Sequence, residues 1–449
     1  MPFFKNIVNK HTLSLASNAV MPVVSMVTVS LLARNVAERD LGNWILFLIT
    51  FTIANFFRGG FLQTSVVKFY SGATKQRADN VAGSAWFIGL AITLGLSIIS
   101  LLFYIFYKGE PSTDMTIKWF SIIFFSTLPS SIALWVLQAE ERFGRIFLLQ
   151  MIHPITFFLA IVGLIILHKG HFQQIIYAYC FSAMLASLVS ILAGWAKITS
   201  IRNKSKACVK ELMNFGKFSV ATSLSSYLLR GSDTFIIKFM FVDPSFVAIY
   251  YLPQRLMEVI EIPLRSFTST ALPAMSAAIQ RKDKQYMTHI LKKYAGILTM
   301  LLIPVTIVAF IGADLIIEII GGRKFVPTEA GNVFRIFLCF AILLPVDRFF
   351  GIALDILNKP QQNMIKVILM LVVNIAGDFI GIYLTHSIIG AAIASVFSFL
   401  VGVIYGYWAL KRTLHFKMRD ILKLGFSETR MLTMGVVGKF NRKLADKSS

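Results

Sequence analysis

The amino-acid sequence predicts an all-α, polytopic membrane protein of about 12 transmembrane helices, in two pseudo-symmetric six-helix bundles around a central cavity. Three observations carry this expectation. Hydrophobic residues make up 56% of the 449 residues and charged residues 15%, with a mean hydropathy of +0.71, whereas soluble domains carry roughly a quarter charged residues. The apolar residues come in long uncharged blocks. The basic residues crowd the flanks of those blocks on one side.

Residues 80–107, 119–139, 146–167, 172–196, 294–313 and 379–410 contain no Lys, Arg, Asp or Glu. A helix needs about 20 such residues to cross roughly 30 Å of hydrocarbon. Spans fall at roughly 12–33, 41–66, 82–107, 119–137, 146–167, 173–196, 217–242, 246–273, 294–312, 329–357, 362–385 and 388–410. The first, Thr12 to Ala33, exceeds the apolar core of a signal peptide and reads as a retained span. With the N-terminus inside, the cytoplasmic flanks hold about 30 of the 44 Lys and Arg, the external flanks about 7 and the spans about 7, with Lys217 and Lys366 counted to the flanks they border. This positive-inside asymmetry places both termini in the cytoplasm. It also accounts for the net charge of +22 without nucleic acid. Cys180, Cys208 and Cys339 lie far apart and read as packing residues.

The longest cytoplasmic connection, Lys197 to Lys217, separates two blocks of six spans. Arg58, Lys75 and Arg77 find Arg265, Lys282 and Lys284 at a constant offset, and WVLQAEERF (135–143) lines up with IALDILNKP (352–360). Parallel repeats related by an axis along the membrane normal have this form. The expected organisation is an N-terminal bundle over 1–200, a C-terminal bundle over 201–410 and a basic tail over 411–449. The tail reads as solvated, with a helix lying on anionic lipid as the alternative.

Ionisable residues inside spans are informative because each costs roughly 2.5–3.5 kcal/mol at a helix centre and therefore faces a cavity or a partner. Arg58 lies near mid-depth of the second span without an acidic residue within one turn, and Asn55 shares its face. The seventh span carries Arg230, Asp233 and Lys238. In the eighth, Arg255, Glu258, Glu261 and Arg265 fall on one face, with Arg255 and Glu258 at i,i+3 and Glu261 and Arg265 at i,i+4. Asp347, Arg348 and Asp355 lie in the tenth span and Asp378 in the eleventh. Paired charges that glue helices together are the simplest reading of Asp233, Glu261 and Asp347. Arg58 and Arg265 occupy equivalent places in the two halves, and facing helices would bring both guanidiniums to one cavity. Arg suits a bidentate grip on phosphate oxygens. Pro22, Pro129, Pro154, Pro253, Pro263, Pro273, Pro304 and Pro345 punctuate the spans and allow bends.

The sequence holds no GxxxxGK[ST] loop, no HExxH and no Cys/His metal spacing, so no cofactor and no metal is expected. External loops are short, the longest at about 313–328, which counts against a polymerase or glycosyltransferase. His153, inside a span, reads as packed.

Twelve spans in two halves resemble the multidrug/oligosaccharidyl-lipid/polysaccharide (MOP) exporter superfamily, and within it the Wzx-type polysaccharide (O-antigen) flippases. The resemblance rests on LLARNVAERDLGNWILFLITFTIANFFRGGF (31–61), on LRGSDTFIIKFM (229–240) followed by VAIYYLPQRL (247–256), and on the LQAEERF turn (137–143), and covers roughly residues 10–410. It implies a transporter rather than an enzyme. Such a protein moves an undecaprenyl-pyrophosphate-linked oligosaccharide across the bacterial or archaeal plasma membrane for surface polysaccharide biosynthesis. The family's cationic cavity would correspond to Arg58, Arg230, Arg265, Arg255 and Arg348. The acidic residues of the eighth and tenth spans dilute that cationic picture. With no ATP site, Asp233, Glu258 and Asp347 are the candidate ion-coupling residues. Implied partners are the lipid-linked oligosaccharide and membrane lipids, with a polysaccharide polymerase and chain-length proteins as further candidates. Two alternatives stay open: a cation-coupled multidrug antiporter of the same fold, and a membrane polymerase acting on lipid-linked glycans.

Overall fold

The computed structural model describes residues 10–106, 111–168 and 170–431. The described residues are helical throughout, without a strand. In chain order the helices are α1 (Lys10–Asn35), α2 (Glu38–Tyr70), α3 (Lys75–Phe106), α4 (Pro111–Ser126), α5 (Leu128–Ala139), α6 (Phe143–Ile166), α7 (Phe172–Leu192), α8 (Lys206–Met240), α9 (Ser245–Gln280), α10 (Lys284–Ile311), α11 (Ala313–Gly321), α12 (Ala330–Ala341), α13 (Leu344–Ile356), α14 (Pro360–Thr385) and α15 (Ile389–Lys411). Among the described residues, eight helical segments are long and apolar enough to cross a membrane, with α4 and α5 counted as one, and nine if the bent α12–α13 pair is included. The long helices α1, α8 and α9 complete the expected twelve; charges interrupt the apolar runs of α8 and α9.

Every backbone donor and acceptor must be satisfied inside the segment where water is absent, which is why these runs form helices. Large apolar side chains lie on the outside of those helices: Phe106 is 80% exposed, Ile311 79% and Leu384 71%. In a soluble protein such a surface would aggregate. Here it is the surface that meets lipid.

Prolines act unequally. Pro154 and Pro304 sit inside unbroken helices. Pro129 opens α5 and Pro345 opens α13, each just after a break, and α12 and α13 meet at a 46° bend.

The chain divides into two compact units, one of residues 1–251 with 320–324, the other of 252–319 with 325–449, the division falling within α9. In unit 1, α8 packs along α2, where a Cβ at Gly216 would press on the Phe61 backbone. Leu62, Val66, Val81, Trp86, Ile132 and Trp135 form the core with Cys208 and Leu212 of α8. Trp86 Nε1 donates to the Ala196 carbonyl at 2.8 Å, and Arg77 pairs with Glu211. In the LQAEERF turn, Glu140 gathers Tyr70 Oη at 3.0 Å, Arg142 Nε at 2.8 Å and Lys197 Nζ at 3.8 Å. That single carboxylate ties the end of α2 and the α5–α6 turn to the segment that follows α7.

In unit 2, two expectations are revised. The loop at 313–328 contains α11, whose Ile317 is buried and whose Asp314 pairs with Arg335 at 2.7 Å. The tail is not simply solvated. Residues 418–431 form a helix docked on α10, with Gly425 against Gly296, Ile421 buried, and Lys293 paired with Glu428 at 2.7 Å. Residues 432–449 lie outside the described part.

Candidate functional site

Arg58 stands near the middle of α2 and is fully buried, at 0% exposure. Its neighbours follow from the break between α4 and α5. Thr127 keeps its bonds to Ile123 and from Ser131, but Pro129 lacks an N–H and the helical ladder is interrupted across residues 128–130, so the carbonyls one turn before are released. Arg58 Nη1 donates to the Phe124 carbonyl at 2.8 Å and to Thr93 Oγ1 at 3.3 Å. Nη2 reaches Asn55 Oδ1 at 2.7 Å, Thr127 Oγ1 at 2.9 Å and Ser131 Oγ at 3.3 Å. The guanidinium carbon lies 4.2 Å from the centroid of the Phe124 ring, a favourable cation–π placement.

On the opposite side of the break, the Ser187 hydroxyl of α7 donates to the Ser126 carbonyl and accepts the Ser130 N–H at 3.3 Å. The fracture is mended from two sides, by Arg58 and by Ser187.

Five neutral oxygens hold Arg58, and among the described residues no carboxylate pairs with it. Arg stays protonated in proteins. Neutral acceptors satisfy its N–H groups without cancelling its charge, so a full positive charge persists inside the bundle, a situation that in membranes marks function.

The other expected site residues are placed as follows. The side chain of Arg230, on α8, lies outside the described residues. Asp233 is buried and accepts from Tyr250 Oη at 2.5 Å. Arg255 binds both oxygens of Glu258 at 2.7 and 2.8 Å. Arg265, half exposed, meets Glu261 at 3.4 Å. Both pairs have the spacing the eighth span suggests. Asp347 pairs with Lys366 at 2.7 Å. Arg348 is exposed on α13, within electrostatic range of Asp355. Arg58 belongs to unit 1, and Arg255, Arg265 and Arg348 to unit 2.

Asn374 donates to the buried Asp378 at 3.0 Å. His153 is packed, with its Nδ1 at 2.8 Å from Ser182 Oγ and its ring 4.6 Å from that of Tyr179.

Lys366 is the residue that sequence reasoning missed. Counted with a cytoplasmic flank, it is instead 3% exposed, and its ammonium also donates to the Asp347 carbonyl at 3.1 Å. Gly402 leaves room for the pair, since a Cβ there would press on Asp347 and Met370, while Cβ atoms at Gly351 and Gly406 would crowd the neighbouring Asn363 and Phe350. The lysine could have been flagged by the unbroken apolar run Val367–Val373 that follows it in α14.

Comparison with known proteins agrees with this architecture. A family model described as "Polysaccharide biosynthesis protein" matches residues 7–279. The "Probable low-salt glycan biosynthesis flippase Agl15" of Haloferax volcanii is 27% identical over 280 residues, covering 61% of this chain. The match spans 57% of that relative's length. Among solved structures, the lipid II flippase MurJ in an inward closed conformation superposes with a TM-score of 0.73 at 16% identity, covering 94% of this chain and 92% of that one. An inward-facing multidrug resistance MATE family transporter gives 0.72 at 16% identity, covering 87% and 96%. The chain belongs to the polysaccharide biosynthesis protein family and has the fold of MOP-superfamily transporters.

Proposed function

We propose that this protein is a flippase that carries an undecaprenyl-pyrophosphate-linked oligosaccharide across the plasma membrane by alternating access, for surface polysaccharide such as O-antigen, capsule or exopolysaccharide. The observation that carries the reading is the uncompensated charge of Arg58. A neutral hydrogen bond nets about 1 kcal/mol, and bonds to an ionised phosphate roughly twice that. When the break between α4 and α5 opens, exchange of neutral oxygens for pyrophosphate oxygens is favourable.

In this reading the two six-span halves, 1–200 and 201–410, alternate about the substrate. Arg58 and Arg265 grip the pyrophosphate, with Arg230, Arg255 and Arg348 lining its path. Asp233, Glu258 and Asp347 couple transport to an ion gradient. Arg255 and Glu258 must part before either serves. Both termini face the cytoplasm, and a polymerase and chain-length proteins receive the product. Because the buried charge is cationic, an anionic substrate is favoured over the cationic amphiphiles of a multidrug antiporter. The flippase named in the Haloferax volcanii relative and the lipid II flippase among the structural neighbours support the same substrate class.

The test is surface-glycan export in cells carrying Arg58→Ala with Arg265→Ala, alongside Arg58→Lys, with protein abundance and monodispersity in detergent monitored. Export is lost in the double variant at undiminished protein level, and Arg58→Lys, which keeps the charge but not the fork, retains part of it. Normal export by the double variant refutes the assignment.

A further inference from the structure

The turn between α13 and α14 encloses an open recess of about 320 Å³, lined by Asn358, Lys359, Gln361, Gln362, Ala409 and Arg412. Two cations and three amides line it, and no carboxylate does. Asn358, in the left-handed region at φ 56°, turns the chain sharply, and Pro360 starts α14. The N–H of Gln361, in the first turn, has no intrahelical acceptor, and the positive end of the α14 dipole points at the recess.

The two cations are only partly used. Lys359 Nζ donates to Thr413 Oγ1 at 2.5 Å, leaving two of its donors. Arg412 stacks on Trp408, 3.6 Å from the ring centroid, and its guanidinium makes no hydrogen bond among the described residues. Gln362 Oε1 is occupied by Tyr405 Oη at 2.6 Å, which leaves its NH₂ free to donate. Asp355, near the end of α13, is engaged by both contacts of the Asn363 amide at 3.0 and 3.1 Å.

The recess continues into apolar surface. Trp408 is 48% exposed and Ile404 65%, with Met364 and Ile368 also exposed on α14. Nearby in the chain, the 418–431 helix presents Leu422 and Phe426 outward beside the exposed Arg419 and Lys423. Apolar side chains beside basic ones, with a tryptophan at the boundary, are the composition of a headgroup-level belt. A donor-rich, carboxylate-free recess set directly above a lipid-facing wall suits a ligand with a phosphodiester at one end and acyl chains at the other.

We propose that this recess binds the headgroup of an anionic phospholipid of the surrounding leaflet, with Lys359 and Arg412 on the phosphodiester and the acyl chains running down past Trp408 and Ile404. The inference rests only on the chain's crossing a bilayer, and stands or falls separately from the transport reading.

The test uses the full-length protein purified in dodecyl maltoside, with phosphatidylglycerol, phosphatidylcholine and inorganic phosphate as probes. Native mass spectrometry reads bound lipid and thermal unfolding reads stabilisation. Phosphatidylglycerol binds and raises Tm, phosphatidylcholine does neither, and Lys359→Gln with Arg412→Gln weakens phosphatidylglycerol binding roughly thirtyfold. Arg412→Gln alone, at an exposed side chain without a hydrogen bond, weakens it roughly fivefold and guards against loss of fold in the double variant. Equal binding of phosphatidylglycerol by wild type and both variants overturns the proposal, as does equal binding of phosphatidylcholine. Inorganic phosphate reproducing the full Tm shift reassigns the recess to a free anion and also overturns it.

Discussion

The buried pair of Lys366 and Asp347 gives the sharpest energetic prediction. Lys366→Met keeps the length and apolar stem of the side chain but removes its charge, leaving Asp347 facing a site built for an ammonium. Removing one partner of a buried pair costs roughly 3–5 kcal/mol, whereas replacing both by apolar groups is near neutral or stabilising. Asp347 is 16% exposed against 3% for Lys366, so residual solvation of the carboxylate places the expected loss near the lower end, about 3 kcal/mol. Adding Asp347→Leu removes the stranded charge and should restore most of that loss. Asp347→Leu alone strands the more deeply buried Lys366 and costs about 3 kcal/mol or more, so the cycle should show a coupling of about 5 kcal/mol between the two sites. Unfolding with increasing mole fraction of dodecyl sulfate in mixed micelles, followed by circular dichroism, measures all four members of the cycle. If the double variant is as unstable as the two single losses added together, packing around Gly351, Gly402 and Gly406 governs the site and the electrostatic account is wrong.

Two further outcomes follow from geometry. Ser187→Ala strips the Ser126 carbonyl and the Ser130 N–H of their shared partner, an expected cost of about 1–3 kcal/mol, with faster amide exchange at Ser130 and unchanged exchange in α6; unaltered exchange at Ser130 would show that the fracture does not depend on Ser187. Gly296→Leu should displace the 418–431 helix from α10, exposing the segment to limited proteolysis while the transmembrane helices stay folded, and persistence of protection would show that docking depends on Lys293 and Glu428 instead.

Much of the fold was legible because the bilayer imposes one rule on every span: twenty apolar residues, internally hydrogen-bonded. Local charge pairs were legible for a similar reason, since the i,i+3 and i,i+4 spacings of Arg255, Glu258, Glu261 and Arg265 place them on one helix face whatever the tertiary structure. Asn55 beside Arg58 belongs to the same class. What the sequence hid were contacts between helices. The threonine and serine hydroxyls that hold Arg58 come from α3, α5 and the break before it, and a hydroxyl carries no charge to mark it. Lys366 escaped because its partner lies nineteen residues away and a lysine near a span end ordinarily snorkels outward. The 418–431 helix was misread because its docking depends on two glycines meeting, and a missing side chain leaves no periodic trace. The α4–α5 break was signalled by Pro129, yet Pro154 and Pro304 bend nothing that breaks, so proline alone could not locate it.

The contrast between Arg58 and the Lys366–Asp347 pair has an electrical consequence. Translocating an elementary charge through a membrane potential involves about 2.3 kcal/mol per 100 mV, while a neutral ion pair moving as one body involves almost none. Any rearrangement that carries α2 along the bilayer normal is therefore biased by voltage in proportion to the distance Arg58 travels through the field. A rearrangement that carries α13 and α14 together with their pair intact is electrically silent.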